Sequence, residues 1–253
     1  MLVEMGLLKV QTVNMHKGMF MENQVEAQVS LIHANPLANQ QIGDDPIYWD
    51  SCMGDPAAVA NAIFDGIDFT AYYSNVNEGV YLTESTDSTS GYMYWDKSFD
   101  YTKDIIFEGT FAAGGGEGGA DGIVIYFGSS DTNTIQNTES NGIAVFFDEY
   151  NGDSVKVYKD GTQVDIDYYS SVVLDDSRWR NYTIVYEYVD DSNAYVTVLI
   201  ENVFVCRVNV GSWVSTAGNY VGASAWCGGE NNDHLCKSFR VKSAKPWLVM
   251  NRK

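Results

Sequence analysis

Val221 to Phe239 reads VGASAWCGGENNDHLCKSF. It divides into a run that predicts a strand, Tyr220 to Trp226, a loop of Gly, Glu, Asn and Asp, and a second strand, Cys236 to Lys242. Gly-Gly and Asn-Asn between two runs of this kind are turn chemistry, so the unit is strand, loop, strand. The pattern extends upstream. From Phe64 onward, short runs rich in Val, Ile, Tyr and Phe recur between clusters of Gly, Asn, Asp and Ser. Further strands are predicted near Gly79 to Thr83, Tyr92 to Asp96, Asp104 to Ala112, Gly122 to Phe127, Gly142 to Phe147, Ser154 to Lys159, Arg180 to Tyr188, Ala194 to Ile200 and Val203 to Val208.

Two tight turns support this reading, Lys159-Asp160-Gly161 and Ile200-Glu201-Asn202. The first carries the Asp-Gly pair that accepts positive φ in hairpins. So many short strands without a helical stretch favour two packed antiparallel sheets, an all-β sandwich, over a barrel. No internal repeat marks a propeller or solenoid. The Gly-rich stretch Gly114-Gly115-Gly116-Glu117-Gly118-Gly119 lacks the Lys and the following helix of a phosphate cradle and reads as a strand connection.

The 253 residues suit one large β-sandwich with flanking segments. Residues 1–62 carry six of the eight methionines and no clear periodicity, which sets them apart as an N-terminal extension or arm. An arm onto the sandwich, a short helix near Pro56 to Ile63 and a partner-docking segment are all open for it. Residues 63–243 form the sandwich and 244–253 a C-terminal tail.

Thirty-four acids against 15 bases give a formal charge of −19, which argues against phosphate-backbone binding and so against nucleic acid as a partner. No apolar window is long enough to span a membrane. Met1 to Val10 contains Glu4 and Lys9 and does not read as a signal peptide. Cys52, Cys206, Cys227 and Cys236 are too scattered for a disulfide framework or a zinc site, and for Cys227 and Cys236 a bridge and free buried thiols both remain open.

Three stretches, in order, resemble the L-type lectins of the concanavalin-like class, and most of all the calcium-dependent cargo lectins of the secretory pathway. They are Gly119-Ala120-Asp121-Gly122, the run Gly142 to Asn151 that ends in Asp148-Glu149-Tyr150-Asn151, and the closing segment with Gly228-Gly229 and His234. Tyr81-Leu82-Thr83, Gly91 and Trp95 are similar to the early part of the same domain. The resemblance implies a jelly-roll sandwich that binds carbohydrate and is not an enzyme.

On that resemblance the sugar-binding residues are Asp121, Asn151, Gly228, Gly229 and Glu230, and a calcium ion is held by Asp148, Tyr150, Asn151, Asp153 and Asp167. A sugar's hydroxyls each donate and accept, so a fixed carboxylate, an amide and backbone N–H groups suit them, with an aromatic face for stacking. Tyr126, Tyr150, Tyr168 and Trp226 are the stacking candidates. Calcium asks for about six to eight oxygens, which carboxylates, carbonyls and water supply. The chain departs from the family in three places. Gly152 stands where the family's ligating Asn belongs, Tyr168 lies near the expected His, and Phe146 replaces the Glu of the plant two-metal site. Taken without the resemblance, Asp121 reads as a turn residue, Asp148 and Glu149 as an exposed strand end, and His234 as a loop residue.

The expected partners are glycans or glycoproteins in an extracellular, lumenal or virion-associated setting. An alternative is a structural or interaction protein, a viral capsid or surface-coat component that uses the sandwich as a scaffold and docks neighbouring subunits through its N- and C-terminal arms. A glycoside hydrolase is weaker still. Adjacent Asp148 and Glu149 face opposite sides of an extended strand, whereas that chemistry sets two carboxyl groups across one bond.

Overall fold

The computed structural model describes residues 47–52, 63–67, 71–74, 77, 79–97, 99–116, 118–129, 142–150, 152–212 and 220–243, the first two of these segments and residue 243 by backbone only. In chain order the strands are β1 (Ile47–Cys52), β2 (Ile63–Ile67), β3 (Tyr72–Ser74), β4 (Gly79–Thr83), β5 (Ser90–Asp96), β6 (Ile105–Gly114), β7 (Gly122–Ser129) and β8 (Ile143–Asp148), followed by β9 (Ser154–Lys159), β10 (Thr162–Gln163), β11 (Tyr168–Tyr169), β12 (Arg180–Asp190), β13 (Asn193–Ile200), β14 (Val203–Asn209), β15 (Tyr220–Trp226) and β16 (Asp233–Ser243). Among the described residues there is no helix.

Two antiparallel sheets result. The first runs β14-β13-β12-β6-β16-β4-β3, with β1 also paired to β16. The second runs β10-β9-β8-β7-β15-β5-β2, with β11 also paired to β9. This is the all-β, two-sheet sandwich expected from the sequence. Within the stretch read as an extension, Ile47–Cys52 forms a strand against residues 238–242 of β16. The helix expected near Pro56 to Ile63 falls on residues that, up to 62, lie outside the described ones.

Side-chain alternation explains the layering. In β8, Ile143, Val145 and Phe147 enter the core, while Ala144 and Phe146 join an aromatic group on the outer face of the second sheet. In β9, Val155 and Val157 point inward, and Lys156 and Tyr158 are left on the other face. Rings from both sheets meet in the middle. Phe107 stacks on Phe127 at 4.1 Å between centroids, Phe111 lies 4.9 Å from Phe147, and Trp95 lies 5.8 Å from Phe239. Such offset and tilted pairs add to the burial of large apolar rings.

Both turns read from the sequence close hairpins. Asp160 and Gly161 have φ of 48° and 74°, and Glu201 and Asn202 have φ of 52° and 65°. Positive φ at both central residues matches the twist of the flanking strands.

One glycine is fixed by packing. A Cβ at Gly222 in β15 would run into the Met93 carbonyl and approach the Tyr126 hydroxyl to 2.6 Å. That hydroxyl donates to the same carbonyl at 3.2 Å, so the tyrosine crosses over the bare glycine. Gly222→Ala is expected to destabilise the domain by about 1–3 kcal/mol through overpacking. Chemical denaturation checks this, and an unchanged midpoint would contradict it.

Candidate functional site

Strand register gathers the sequence motifs at one rim of the second sheet. Gly122, the first residue of β7, pairs with Asp148 at the end of β8 and with Trp226 at the end of β15, and Asp148 pairs in turn with Ser154 at the start of β9. The segments preceding β7, following β8 and following β15 therefore emerge side by side. This brings Asp121, the residues Asp148, Glu149, Tyr150, Gly152 and Asp153, and Gly228 to Glu230 together, although up to 109 positions separate them in the chain.

Asp121 is held by its backbone on both sides. Its N–H donates to the Trp226 carbonyl at 3.0 Å, and its carbonyl accepts from the Glu149 N–H at 3.1 Å. The Ala120–Asp121 peptide is cis. The carboxylate accepts from the Gly228 N–H, and a Cβ on Gly228 would lie 2.9 Å from its Oδ2. Burial pushes the Asp121 carboxyl above its ordinary range, against the lowering effect of the nearby His234 and the Gly228 amide. Among the described residues nothing lies within 4 Å of the place a side chain on Gly229 would take, so the loop leaves room next to Gly228 and its Asp121 contact.

Beneath the rim lies a buried polar cluster. His234 in β16 is fully buried, with Nε2 3.3 Å from Glu149 Oε2 and Nδ1 2.6 Å from Thr83 Oγ1. The Asn232 amide donates to the same Glu149 oxygen at 2.8 Å. Cys227 places its sulfur 3.8 Å from Nδ1 and 3.3 Å from the Asn232 carbonyl. Burial alone would lower the His234 pKa, but the Glu149 charge and the hydrogen bonds outweigh it and raise it to about 10. Burial pushes the Cys227 thiol up, and its hydrogen bond with the same ring more than offsets that and lowers it. Cys227 and Cys236 are both free thiols. Sequence alone suggested an exposed strand end at Asp148 and Glu149 and a loop position at His234. The structure corrects this, since Asp148 and Glu149 are 2% and 5% exposed, each beside a basic partner.

The acids expected to hold calcium are arranged around a lysine. Lys156 binds the Asp148 carboxylate directly and lies 3.5 Å from Asp167 Oδ2. Its Nζ also sits 5.6 Å from the centroid of Phe146. Asp153 turns away, with Oδ1 accepting from the Leu174 N–H at 3.0 Å. Tyr150 is exposed, and Asn151 lies outside the described residues. Among the described residues no group of three or more His, Cys, Asp or Glu is placed to hold a metal ion. This donor set does not fit calcium, because an ammonium already lies between its two carboxylates and a dication beside it would be repelled.

The aromatic candidates separate by exposure. Tyr126 is fully buried, Trp226 stacks on Phe146 at 4.7 Å, and the Tyr168 hydroxyl donates to Asp165 at 2.6 Å. Tyr150 remains open at 56% exposure, and Tyr169, which sequence reasoning passed over, is open beside the same loop. Lys156 was passed over too, although β8 and β9 were both expected and antiparallel pairing sets it diagonal to Asp148 on one face.

No family model matches the chain, and no curated relative does. Solved structures do. The carbohydrate recognition domain of Emp47p is similar over 79% of this chain and 97% of that one, at 17% identity and a TM-score of 0.62. The fold is that of the L-type lectins. The exoplasmic/lumenal domain of VIP36, in a form bound to Ca2+ and Man3GlcNAc, matches over 79% of this chain and 90% of that one, at 17% identity and a TM-score of 0.61. The potassium-bound recognition domain of Emp46p matches over 78% and 98%, at 11% identity and a TM-score of 0.60. The likeness of fold to these structures agrees with the resemblance read from the three sequence stretches.

Proposed function

We propose that this domain binds carbohydrate at the rim where Asp121 meets the Gly228-Gly229-Glu230 loop. The observation that carries the reading is the Asp121 carboxylate, held by the Gly228 N–H beside the open space at Gly229. A carboxylate fixed in this way accepts from two sugar hydroxyls without ordering a flexible side chain at the moment of binding. Backbone N–H groups of Gly229 and Glu230 supply donors. Tyr150, and Tyr169 near Gly152 of the following loop, offer the apolar face, and Asn151 is the further contact that the resemblance implies. The bound forms of VIP36 make mannose-type glycans on glycoproteins the first class to test, in a lumenal or extracellular setting. No helix of the described residues is long and apolar enough to cross a membrane.

A glycan array probed with the full chain, with calcium and with chelator, tests the reading. Binding by the wild type is expected to fall by a factor of ten or more, on the order of the loss of one charge-assisted hydrogen-bonding group, in Asp121→Ala, with the melting temperature nearly unchanged. Absence of glycan binding in both arms would sink it and leave the scaffold reading.

A further inference from the structure

The place where a metal was expected already contains a cation. Lys156 and Asp148 belong to neighbouring strands whose register pairs Phe146 with Lys156 and Asp148 with Ser154. All four of these side chains therefore lie on the outer face of the second sheet, and Lys156 reaches diagonally to Asp148. The lysine side chain is 13% exposed and that of Asp148 3%. Asp167, just before β11, closes the other side at 3.5 Å. The Phe146 ring, backed by Trp226, forms the floor. Two carboxylates and a π face thus surround one ammonium, which is the kind of site in which a charge is retained only when it is compensated.

We propose that Lys156 is the resident cation of this loop cluster, so that the rim is organised by a covalently attached ammonium in place of a divalent ion. A tethered charge competes with dissolved calcium at the effective concentration its strand imposes, and it is present whenever the sheet is formed. Calcium would have to displace it, leave it buried without a partner and still find oxygen donors beyond Asp148 and Asp167. Asp153, from the loop that follows β8, is committed to the Leu174 N–H. On the glycan reading above, binding at Asp121 is then insensitive to chelator. The assignment itself does not rest on that reading, because its test reads only the stability of the protein.

Thermal melting of the full chain in calcium chloride, potassium chloride and EDTA provides the test. For the wild type the same melting temperature is expected in all three. Lys156→Met keeps the length of the side chain and removes the charge, and is expected to melt lower by roughly 5 °C or more, because it takes the ammonium away from the nearly buried Asp148 carboxylate. The double variant Asp148→Asn with Lys156→Met removes both charges and is expected to regain most of that loss, which keeps the test decisive if the single variant does not fold. A wild-type melting temperature that rises with calcium, a Lys156→Met chain as stable as the wild type, or a double variant no more stable than the single one overturns the assignment.

Discussion

His234→Phe is expected to lower the stability of the domain by about 3–5 kcal/mol, the usual consequence of removing one member of a buried charged pair. An aromatic ring is kept in place, so the loss comes chiefly from Glu149. Its Oε2 would keep the Asn232 amide alone, and its Oε1 has no hydrogen-bond partner to begin with. The double variant with Glu149→Gln should recover part of the loss, since it removes the stranded charge. The wild type should also show a pH dependence that the variant lacks. The His234 pKa is raised from an unfolded value of about 6.5 to about 10 in the folded protein. Between those values the folded chain holds a proton that the unfolded chain has released, so stability falls as pH rises. The contribution is complete below about pH 6.5 and gone above the folded value. Placing Cys227→Ala in both backgrounds removes the neighbouring thiol, whose lowered pKa acts in the opposite direction. Denaturation midpoints measured from pH 6 to 9 read the slope; equal slopes in wild type and His234→Phe would refute the pairing.

Phe147→Ala should have an effect of similar size, about 3–5 kcal/mol, through the cavity left between the sheets. Phe147 is fully buried, lies 4.9 Å from Phe111 and 5.9 Å from Tyr182, and immediately precedes Asp148. Loss of the ring therefore loosens the end of β8 as well as the core. Phe147→Leu fills part of the volume and should lose much less. Urea denaturation distinguishes the cases, with the midpoint moving and the slope unchanged if the loss is one of native packing. An alanine variant with the wild-type midpoint would mean that this layer contributes little.

The strands legible in the sequence are those with a buried face. Gly79–Thr83, Ser154–Lys159 and Tyr220–Trp226 have the expected bounds, because their apolar runs stop at Gly, Asp or Cys-Gly signals. The strands that sequence did not show are β1, β2, β3, β10 and β11, all on sheet edges or off the main path. β10 and β11 have two residues each, too few for any period to register. At the site, Asp121 and the Gly228 loop were singled out by the resemblance of continuous stretches, each of which carries its residues side by side in the chain. Lys156 and His234 could not be read in the same way. Their meaning depends on which acid lies opposite across a register, and that is a property of pairing between strands rather than of any one stretch.

The chain's first described strand and its last share one ladder. Residues 238–242 of β16 have β6 on one side and β1 on the other, while β4 covers only 234–236 on that second side. A fragment begun at residue 63 would leave that length of β16 as an open row of amides and carbonyls, the kind of edge along which β-proteins join one another into aggregates. The boundary for recombinant expression therefore lies upstream of Ile47, and tags or fusions near that end sit beside the seam that keeps the sandwich from polymerising.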